Sequence, residues 1–220
     1  MNPRIGLVHA TVAAIQPMVT AFRRHAPDST LLHFVDEGLL PLVNREGLTS
    51  NAVAELQRLI ERAVASGADG VLLTCSAYSP AVSSLQKLFS VPVVSVDEAM
   101  LRKAVELGSN IGVVATVEAA GPTTANLLQQ YAAESGRNVG VSIRVIPEAF
   151  TALKNDDVER HDLLVREQIS ALVPTCDVVV LAQISMARAL NRTPLFDKPV
   201  LTSPEASIRA VHERLTDAHR

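Results

Sequence analysis

The sequence predicts an α/β protein with two similar lobes, each a mainly parallel sheet flanked by helices. Short runs rich in Val, Ile and Leu alternate with longer amphipathic segments, as in parallel strands joined by helices. The chain also repeats itself after about 107 residues, a period too long for a solenoid. Three pairs of segments carry the repeat: IGLVHATVAAIQP at 5–17 with IGVVATVEAAGP at 111–122, GADGVLLTCS at 67–76 with TCDVVVLAQIS at 175–185, and VPVVSVDEAM at 91–100 with KPVLTSPEAS at 198–207.

The first repeat begins with a buried strand and then alternates helices with strands. Its strands are predicted at residues 4–9, 30–35, 70–74 and 91–96. Its helices are predicted at residues 17–25, from a cap at Thr49 or Ser50 to residue 66, at 80–88, and from a cap at Asp97 to residue 106. Gly67 is expected to end the second of these helices.

The second repeat follows the same order. Its strands are predicted at residues 110–115, 141–146, 177–182 and 199–202, and its helices at 122–135, 161–172, 186–190 and 204–215. The opening of the first repeat has one extra residue, which we place at His9. Both repeats therefore predict a flavodoxin-like lobe, and a pseudo-two-fold is expected to relate them. A cleft between such lobes is a common place for a small ligand.

The composition excludes several classes of function. The formal charge is −3 and aromatic residues make up 3% of the chain, so neither a basic nucleic-acid surface nor a polybasic membrane patch is expected. No run is long and apolar enough for a transmembrane helix, and we expect a cytoplasmic protein. Metal-ligand spacing and a G-x-G-x-x-G fingerprint are absent from the sequence, so neither a metal nor a cofactor is expected.

Cys75 occupies the position where an open α/β sheet places its chemistry, just beyond the carboxyl end of a predicted strand. The other cysteine, Cys176, precedes the strand at 177–182. At about 3.3 Å per strand residue it lies roughly 20 Å from the active end, so we interpret it as a structural thiol. We place His161 on a surface helix and assign it no role.

The segments IGLVHAT, TCSA, VPVVSVDEAM, IGVVAT and VVVLAQIS, in this order and spacing, resemble the aspartate/glutamate racemase superfamily. That superfamily includes glutamate, aspartate and hydantoin racemases, maleate isomerase and arylmalonate decarboxylase. The resemblance spans nearly the whole chain and implies cofactor-free chemistry at the carbon next to a carboxylate. It also implies that the terminal helix returns to the first lobe, giving lobes at 1–96 plus 204–220 and at 97–203, and that the protein forms a homo-oligomer.

In the racemases of this superfamily two cysteines flank the substrate, and the resemblance makes Cys75 the catalytic acid or base. The second cysteine is replaced here by Gln183. Hydrogen-bond donors at strand tips are expected to bind the carboxylate and the developing enolate. The residues that we expect to bind the small carboxylic-acid substrate are Thr11, Thr74, Ser76, Thr116, Gln183, Ser185 and His9.

Several roles stay open at this stage. Gln183 either orients a substrate carboxylate or is a relic, and the same holds for Ser185. His9 either assists the thiol of Cys75 or is satisfied by backbone groups. Thr11 and Thr116, which the repeat makes equivalent, bind an anion or cap helices. Asp36 and Glu37 line the cleft or form a solvated turn.

Three functions are compatible with one cysteine. The first is a racemase or isomerase acting α to the carboxylate of a small amino acid or related acid. The second is a decarboxylase of a malonate-type acid, in which a single cysteine protonates the intermediate. Arylmalonate decarboxylase carries its cysteine on the second lobe, so protonation by Cys75 would use the opposite face of the intermediate. The third is a non-catalytic relative that binds small acids.

Overall fold

The computed structural model describes residues 2–190 and 196–218. It divides into two compact units, Met1–Ala99 with Pro204–Arg220, and Met100–Ser203. The sequence placed these boundaries after residues 96 and 203. Within the described residues, none of the helices combines the length and the apolar character needed to cross a membrane.

The first unit contains a sheet of four parallel strands. These are β1 (Arg4–His9), β2 (Thr30–Val35), β3 (Gly70–Leu73) and β4 (Val93–Ser95), in the order β2-β1-β3-β4. Strand β3 is buried along its whole length, which explains its unbroken run of apolar residues.

The helices of the first unit begin with α1 (Ile15–His25), α2 (Leu39–Glu46), α3 (Ser50–Ala65) and α4 (Val82–Gln86). The sequence prediction missed α2, which contains Pro41 in its first turn. Proline is tolerated there because the first backbone N–H groups of a helix have no partner within it. Thr49 caps α3 by accepting a hydrogen bond from the N–H of Ala52.

The second unit repeats the architecture of the first. Its strands are β5 (Asn110–Ala115), β6 (Gly140–Val145), β7 (Val178–Leu181) and β8 (Val200–Leu201), all parallel and in the order β6-β5-β7-β8. Its helices follow α5 (Glu98–Leu107), which crosses the boundary: α6 (Ala120–Glu134), α7 (Pro147–Lys154) and α8 (Val158–Leu172). The predicted fold class, two flavodoxin-like α/β lobes, is confirmed.

Two predicted helices were assigned the wrong type. The segment predicted as a helix at 80–88 begins as a 3₁₀ turn, Ser76–Ala81, and becomes α-helical only at Val82. The segment at 186–190 lies within a longer 3₁₀ turn, Ile184–Leu190. The sequence prediction also missed α7, whose first residue is a proline.

The last helix, α9 (Ser203–Ala218), packs on the first unit. The imidazole Nε2 of His212 lies 2.9 Å from the hydroxyl of Ser29, and Arg214 donates a hydrogen bond to Glu98. Val211 and Leu215 lie beside Gly70 at the start of β3. The chain therefore leaves the first unit and returns to complete it.

Strand pairing corrects the placement of the extra residue. Val8 pairs with Leu73 in the first unit, and Val114 pairs with Leu181 in the second. His9 is therefore equivalent to Ala115, since each is the last residue of its strand. The extra residue lies instead in the loop 10–14, which is longer than its counterpart 116–119. If that extra residue is Ala10, Thr11 still aligns with Thr116, although Thr116 follows its strand directly and Thr11 does not.

A glycine in the first strand of each repeat allows a helix to approach the sheet closely. A Cβ atom at Gly6 would lie 3.0 Å from the Cβ of Ala63, and one at Gly112 would lie 3.1 Å from Leu172 and 3.2 Å from the sulfur of Cys176. All three distances are shorter than an ordinary van der Waals contact. The first strand of each unit thus packs against a helix through a glycine at the equivalent position.

We predict that Gly112→Ala lowers the free energy of unfolding by about 1–3 kcal/mol, because the added methyl overpacks the core beneath β5. Gly140→Ala is the matched control, since its added methyl would meet its nearest neighbour at 3.5 Å, an ordinary contact. Urea denaturation of both variants measures the difference. Equal stability of the two variants would contradict the packing argument.

Candidate active site

Cys75 lies two residues beyond the end of β3 and directly before the 3₁₀ turn Ser76–Ala81. Its backbone is extended (φ −109°, ψ 109°), and its carbonyl accepts a hydrogen bond of 3.1 Å from the N–H of Tyr78. Its half-buried side chain packs against the core on the α2 and α3 side of the sheet. The turn therefore holds the thiol at the carboxyl edge of the sheet.

Tyr78 fixes this turn to the rest of the unit. Its side chain is fully buried, and its hydroxyl donates a hydrogen bond of 2.9 Å to the carbonyl of Leu39 at the start of α2. Sequence reasoning missed Tyr78, because its importance depends on α2, which was not predicted. A tyrosine following a strand tip was the only available signal.

A buried carboxylate lies at the same edge of the sheet as Cys75. The Asp97 side chain is 3% exposed and accepts hydrogen bonds from Ser79 (3.0 Å) and from Ser76. Ser95 donates to the hydroxyl of Ser79 and accepts from the N–H of Asp97. The sequence predicted Asp97 only as a helix cap, whereas its carboxylate is the centre of a buried cluster of serines.

The electrostatics of this cluster follow from burial. Burial raises the pKa of Asp97 to about 6, although the hydrogen bonds from Ser76 and Ser79 oppose the shift. Burial likewise raises the pKa of the Cys75 thiol to about 11, and the negative charge of Asp97 adds to this effect. The backbone N–H groups of Ala77 and Tyr78 oppose it. The thiol is therefore protonated at neutral pH.

His9 belongs to a different network, on the face of the sheet opposite the Cys75 side chain. Its Nδ1 lies 2.9 Å from the hydroxyl of Thr74, and its Nε2 lies 3.0 Å from Nδ1 of His33. Thr74 donates to the carbonyl of Val8, so its oxygen accepts from Nδ1–H of His9. Nε2 of His9 then accepts from His33, which sequence analysis did not single out.

This network bears on the expected role of His9. The side chain is fully buried, and burial, followed by the charge of His33, lowers the pKa of His9 to about 4. A neutral ring with both nitrogens occupied does not provide a positive charge to activate a thiol. Thr74 is also buried and hydrogen-bonded within the unit. Substrate contacts by His9 and Thr74 remain predictions that this geometry does not favour.

The second unit carries an amide where the first carries a thiol. Gln183 lies two residues beyond the end of β7 and directly before its 3₁₀ turn, and its carbonyl accepts a hydrogen bond of 3.1 Å from Met186. It is thus the structural counterpart of Cys75. The N–H of Thr116, at the end of neighbouring β5, donates a hydrogen bond of 2.9 Å to Oε1 of Gln183. Ser185 follows in the turn and is half-buried.

The threonines do not cap helices with their side chains. Thr11 has an extended backbone, and its hydroxyl makes no capping hydrogen bond to the 3₁₀ turn Val12–Ala14. Thr116 is 2% exposed and uses its backbone N–H to hold Gln183. The capping interpretation is therefore not supported at either position, and anion binding by Thr11 and Thr116 stays a prediction.

The remaining candidates are structural. Asp36 accepts a hydrogen bond from the N–H of Gly38, which is a turn interaction. Cys176 is buried against Gly112, before the start of β7. His161 is completely buried and hydrogen-bonds to Asp162, so its placement on a helix surface was wrong. Between residues 2 and 190 and between 196 and 218, the side chains of His, Cys, Asp and Glu form no group that could hold a metal ion.

Two repeated α/β units, with a thiol at one strand tip and an amide at the equivalent tip, define a duplicated α/β scaffold. The family model described as Asp/Glu/Hydantoin racemase matches residues 1–211. The chain therefore belongs to the Asp/Glu/hydantoin racemase family, and its membership supports an isomerase-type activity. A search of curated proteins gave no significant match.

Solved structures share this fold at low sequence identity. An aspartate racemase homologue from Pyrococcus horikoshii OT3 is 16% identical with a TM-score of 0.74, covering 98% of this chain and 100% of its own. Picrophilus torridus aspartate racemase is 12% identical with a TM-score of 0.74, and the match covers 98% of this chain and 95% of the racemase. Arylmalonate decarboxylase is 18% identical with a TM-score of 0.63, covering 97% and 92%. At these identities the likeness establishes the fold.

We predict that alkylation of Cys75 by iodoacetamide accelerates about tenfold per pH unit between pH 7 and pH 9 without reaching a plateau, because the thiolate fraction rises toward a pKa of about 11. Asp97→Asn should speed the reaction by roughly three- to tenfold above pH 6, since it removes a charge that disfavours the thiolate. Peptide mass spectrometry separates Cys75 from Cys176. A plateau below pH 9 would contradict the raised pKa.

A second prediction concerns stability. The pKa of Asp97 is about 6 in the folded state instead of 3.8, so the folded state binds this proton more tightly than the unfolded state does. The contribution of Asp97 to the free energy of unfolding therefore falls as pH rises from about 4 to 6. His9 acts oppositely, since its lowered pKa makes stability rise between about pH 4 and 6.5. The two contributions offset each other in the unsubstituted protein.

Asp97→Asn removes the contribution of Asp97 to this pH dependence and leaves that of His9. Its free energy of unfolding, relative to the unsubstituted protein, should increase by about 3 kcal/mol between pH 4 and pH 7. Urea denaturation at several pH values measures the difference, in which all other titrating groups cancel. A difference that is independent of pH would contradict the raised pKa of Asp97.

Proposed function

We propose that the protein is a cofactor-independent enzyme that uses Cys75 for acid/base chemistry at the carbon α to a carboxylate of a small acid. The observation that carries this proposal is a half-buried thiol just beyond the end of a strand, at the same edge of the sheet as the buried carboxylate of Asp97. Membership in a racemase family supports the reaction class. We further propose Ser76 and Thr11 as substrate contacts, because both are half-buried near strand tips.

The raised pKa favours one direction of proton transfer. At pH 7 a thiol with a pKa near 11 is ionised in roughly one molecule in ten thousand, so it is rarely available as a base. It is almost always available as an acid. In the proposed step the S–H bond of Cys75 breaks, a C–H bond forms at the α-carbon of the enolate, and the thiolate regains a proton from water.

Decarboxylation is the second candidate, and the protonated state of Cys75 favours it. A malonate-type acid would lose carbon dioxide, the electron pair of the broken C–C bond would form an enediolate, and Cys75 would protonate the carbon. This route needs a proton donor and no thiolate base. It also needs no second cysteine, and the position equivalent to Cys75 holds the non-titrating amide of Gln183.

Proton NMR in D₂O tests these candidates with aspartate, glutamate, hydantoins, maleate and substituted malonates. We expect deuterium at the α-carbon, or loss of carbon dioxide, from at least one acid. Cys75→Ser should slow this reaction by about 10²–10⁴-fold, the usual contribution of a positioned acid or base. Cys176→Ala is the control and should retain the activity, because that thiol is buried outside the proposed site.

Each outcome selects among the candidates. Deuterium incorporation without inversion indicates proton transfer on one face, inversion indicates a second acid or base, and carbon dioxide release indicates decarboxylation. Turnover that is unaffected by Cys75→Ser would contradict the role of the thiol. Saturable acid binding without turnover, unchanged in Cys75→Ser, would identify a binding protein instead of an enzyme.

A further inference from the structure

The amide of Gln183 is held at one end and unpaired at the other. The N–H of Thr116 donates to its Oε1 at 2.9 Å. Its Nε2 is buried, and residues 2–190 and 196–218 provide no hydrogen-bond partner for it. An unsatisfied buried donor costs about 1–3 kcal/mol, so a ligand atom that accepts a hydrogen bond from it would recover that free energy.

The direction in which this donor points is fixed by the backbone. Thr116 offers an N–H, which requires an acceptor, so the amide oxygen of Gln183 must face it. Rotating the amide by half a turn would bring two donors together and lose the hydrogen bond. The NH₂ group therefore projects away from Thr116 and presents only donors to an incoming group.

The charge pattern of the repeat supports an anionic ligand at this tip. Val71 pairs with Val93 in the first unit, and the equivalent Val179 pairs with Val200 in the second. Counting onward from these pairs, the counterpart of Asp97 is Pro204. The carboxylate that lies near Cys75 thus has no counterpart near Gln183, so an anion there does not meet that repulsion. Hydrogen bonds to an anionic acceptor are about twice as strong as neutral ones.

We propose that the Gln183 amide is a fixed hydrogen-bond donor to a carboxylate oxygen of a small acid bound at this strand tip. The proposal names the substrate class as a small carboxylate anion, in preference to a neutral ring such as hydantoin, and it assigns Gln183 no part in proton transfer. It rests on the proposed function in one respect, because the acid that it names belongs to the class on which the proposed enzyme would act.

Gln183→Glu is the most selective test. A glutamate oxygen still accepts the hydrogen bond from Thr116, while the NH₂ donor becomes a charged acceptor of the same size. With malonate as the probe, isothermal titration calorimetry should show affinity lowered by more than about 100-fold, since a charge-assisted hydrogen bond is replaced by repulsion. Gln183→Met, which retains similar volume without either polar atom, should lower it by about tenfold or more.

The control places the same substitution elsewhere in the second unit. Gln129 is exposed on α6 and donates to the carbonyl of Val139, so Gln129→Glu adds one negative charge away from the strand tips. It should bind malonate as the unsubstituted protein does. Hydantoin serves as the neutral probe and should bind more weakly than malonate.

The side-chain NMR signals of glutamine provide a readout that is independent of activity. The NH₂ pair missing in Gln183→Met identifies Gln183, and malonate should move it downfield in the unsubstituted protein and in Cys75→Ser. Absence of malonate binding, equal affinity in Gln183→Glu, or tighter binding of hydantoin would each overturn the proposal. Malonate binding with an amide shift but no turnover of any acid would overturn only the proposed function.

Discussion

The register of the parallel strands is the constraint on which both strand tips depend. In each unit the first strand pairs with the third so that Val8 meets Leu73 and Val114 meets Leu181. In each unit the third strand ends at this leucine, and a 3₁₀ turn begins three residues after it. Cys75 and Gln183 therefore occupy the same position in two copies of one scaffold, and a slip of one residue would turn either side chain to the other face.

The same scaffold supports different chemistry because the surroundings of the two tips differ. Burial raises the pKa of the Cys75 thiol, and the buried negative charge of Asp97 adds to this effect, so the thiolate is disfavoured. Thr116 instead turns the amide of Gln183 into an oriented dipole. One strand tip thus carries a protonated thiol and the other an amide that does not titrate. Duplication followed by divergence at a few side chains is sufficient to produce this asymmetry.

The sequence predicted the strands well, because each is a short apolar run bounded by polar or glycine residues. For β1 and β5, the predicted strands begin and end at the same residues as the observed ones. The short helices α2 and α7 were missed, since both contain a proline in their first turn and too few residues to reveal helical periodicity. The position of Cys75 just beyond the end of a strand was also predicted correctly.

The partners of each site residue were harder to predict. Asp97 looks like a helix cap in the sequence, and its burial is visible only when Ser79, from the turn after β3, is brought beside it. His9 was similarly expected beside the thiol. The alternation of side chains along β1 instead places its ring on the other face of the sheet, where it contacts Thr74 and His33 of β2. Local sequence patterns contain no information about such contacts, because they depend on which segments the sheet order makes adjacent.

The raised pKa of Cys75 has a consequence for the proposed reaction. An enolate is far more basic than any thiolate, so even a thiol with a pKa near 11 donates its proton to carbon favourably. The thiolate that remains is half-buried and is disfavoured by the charge of Asp97, so it regains a proton readily from water. Burial of the sulfur, with the charge of Asp97 as a smaller contribution, would hinder a thiolate base but would assist a thiol acid in the proposed reaction, because both effects return the sulfur to its protonated state.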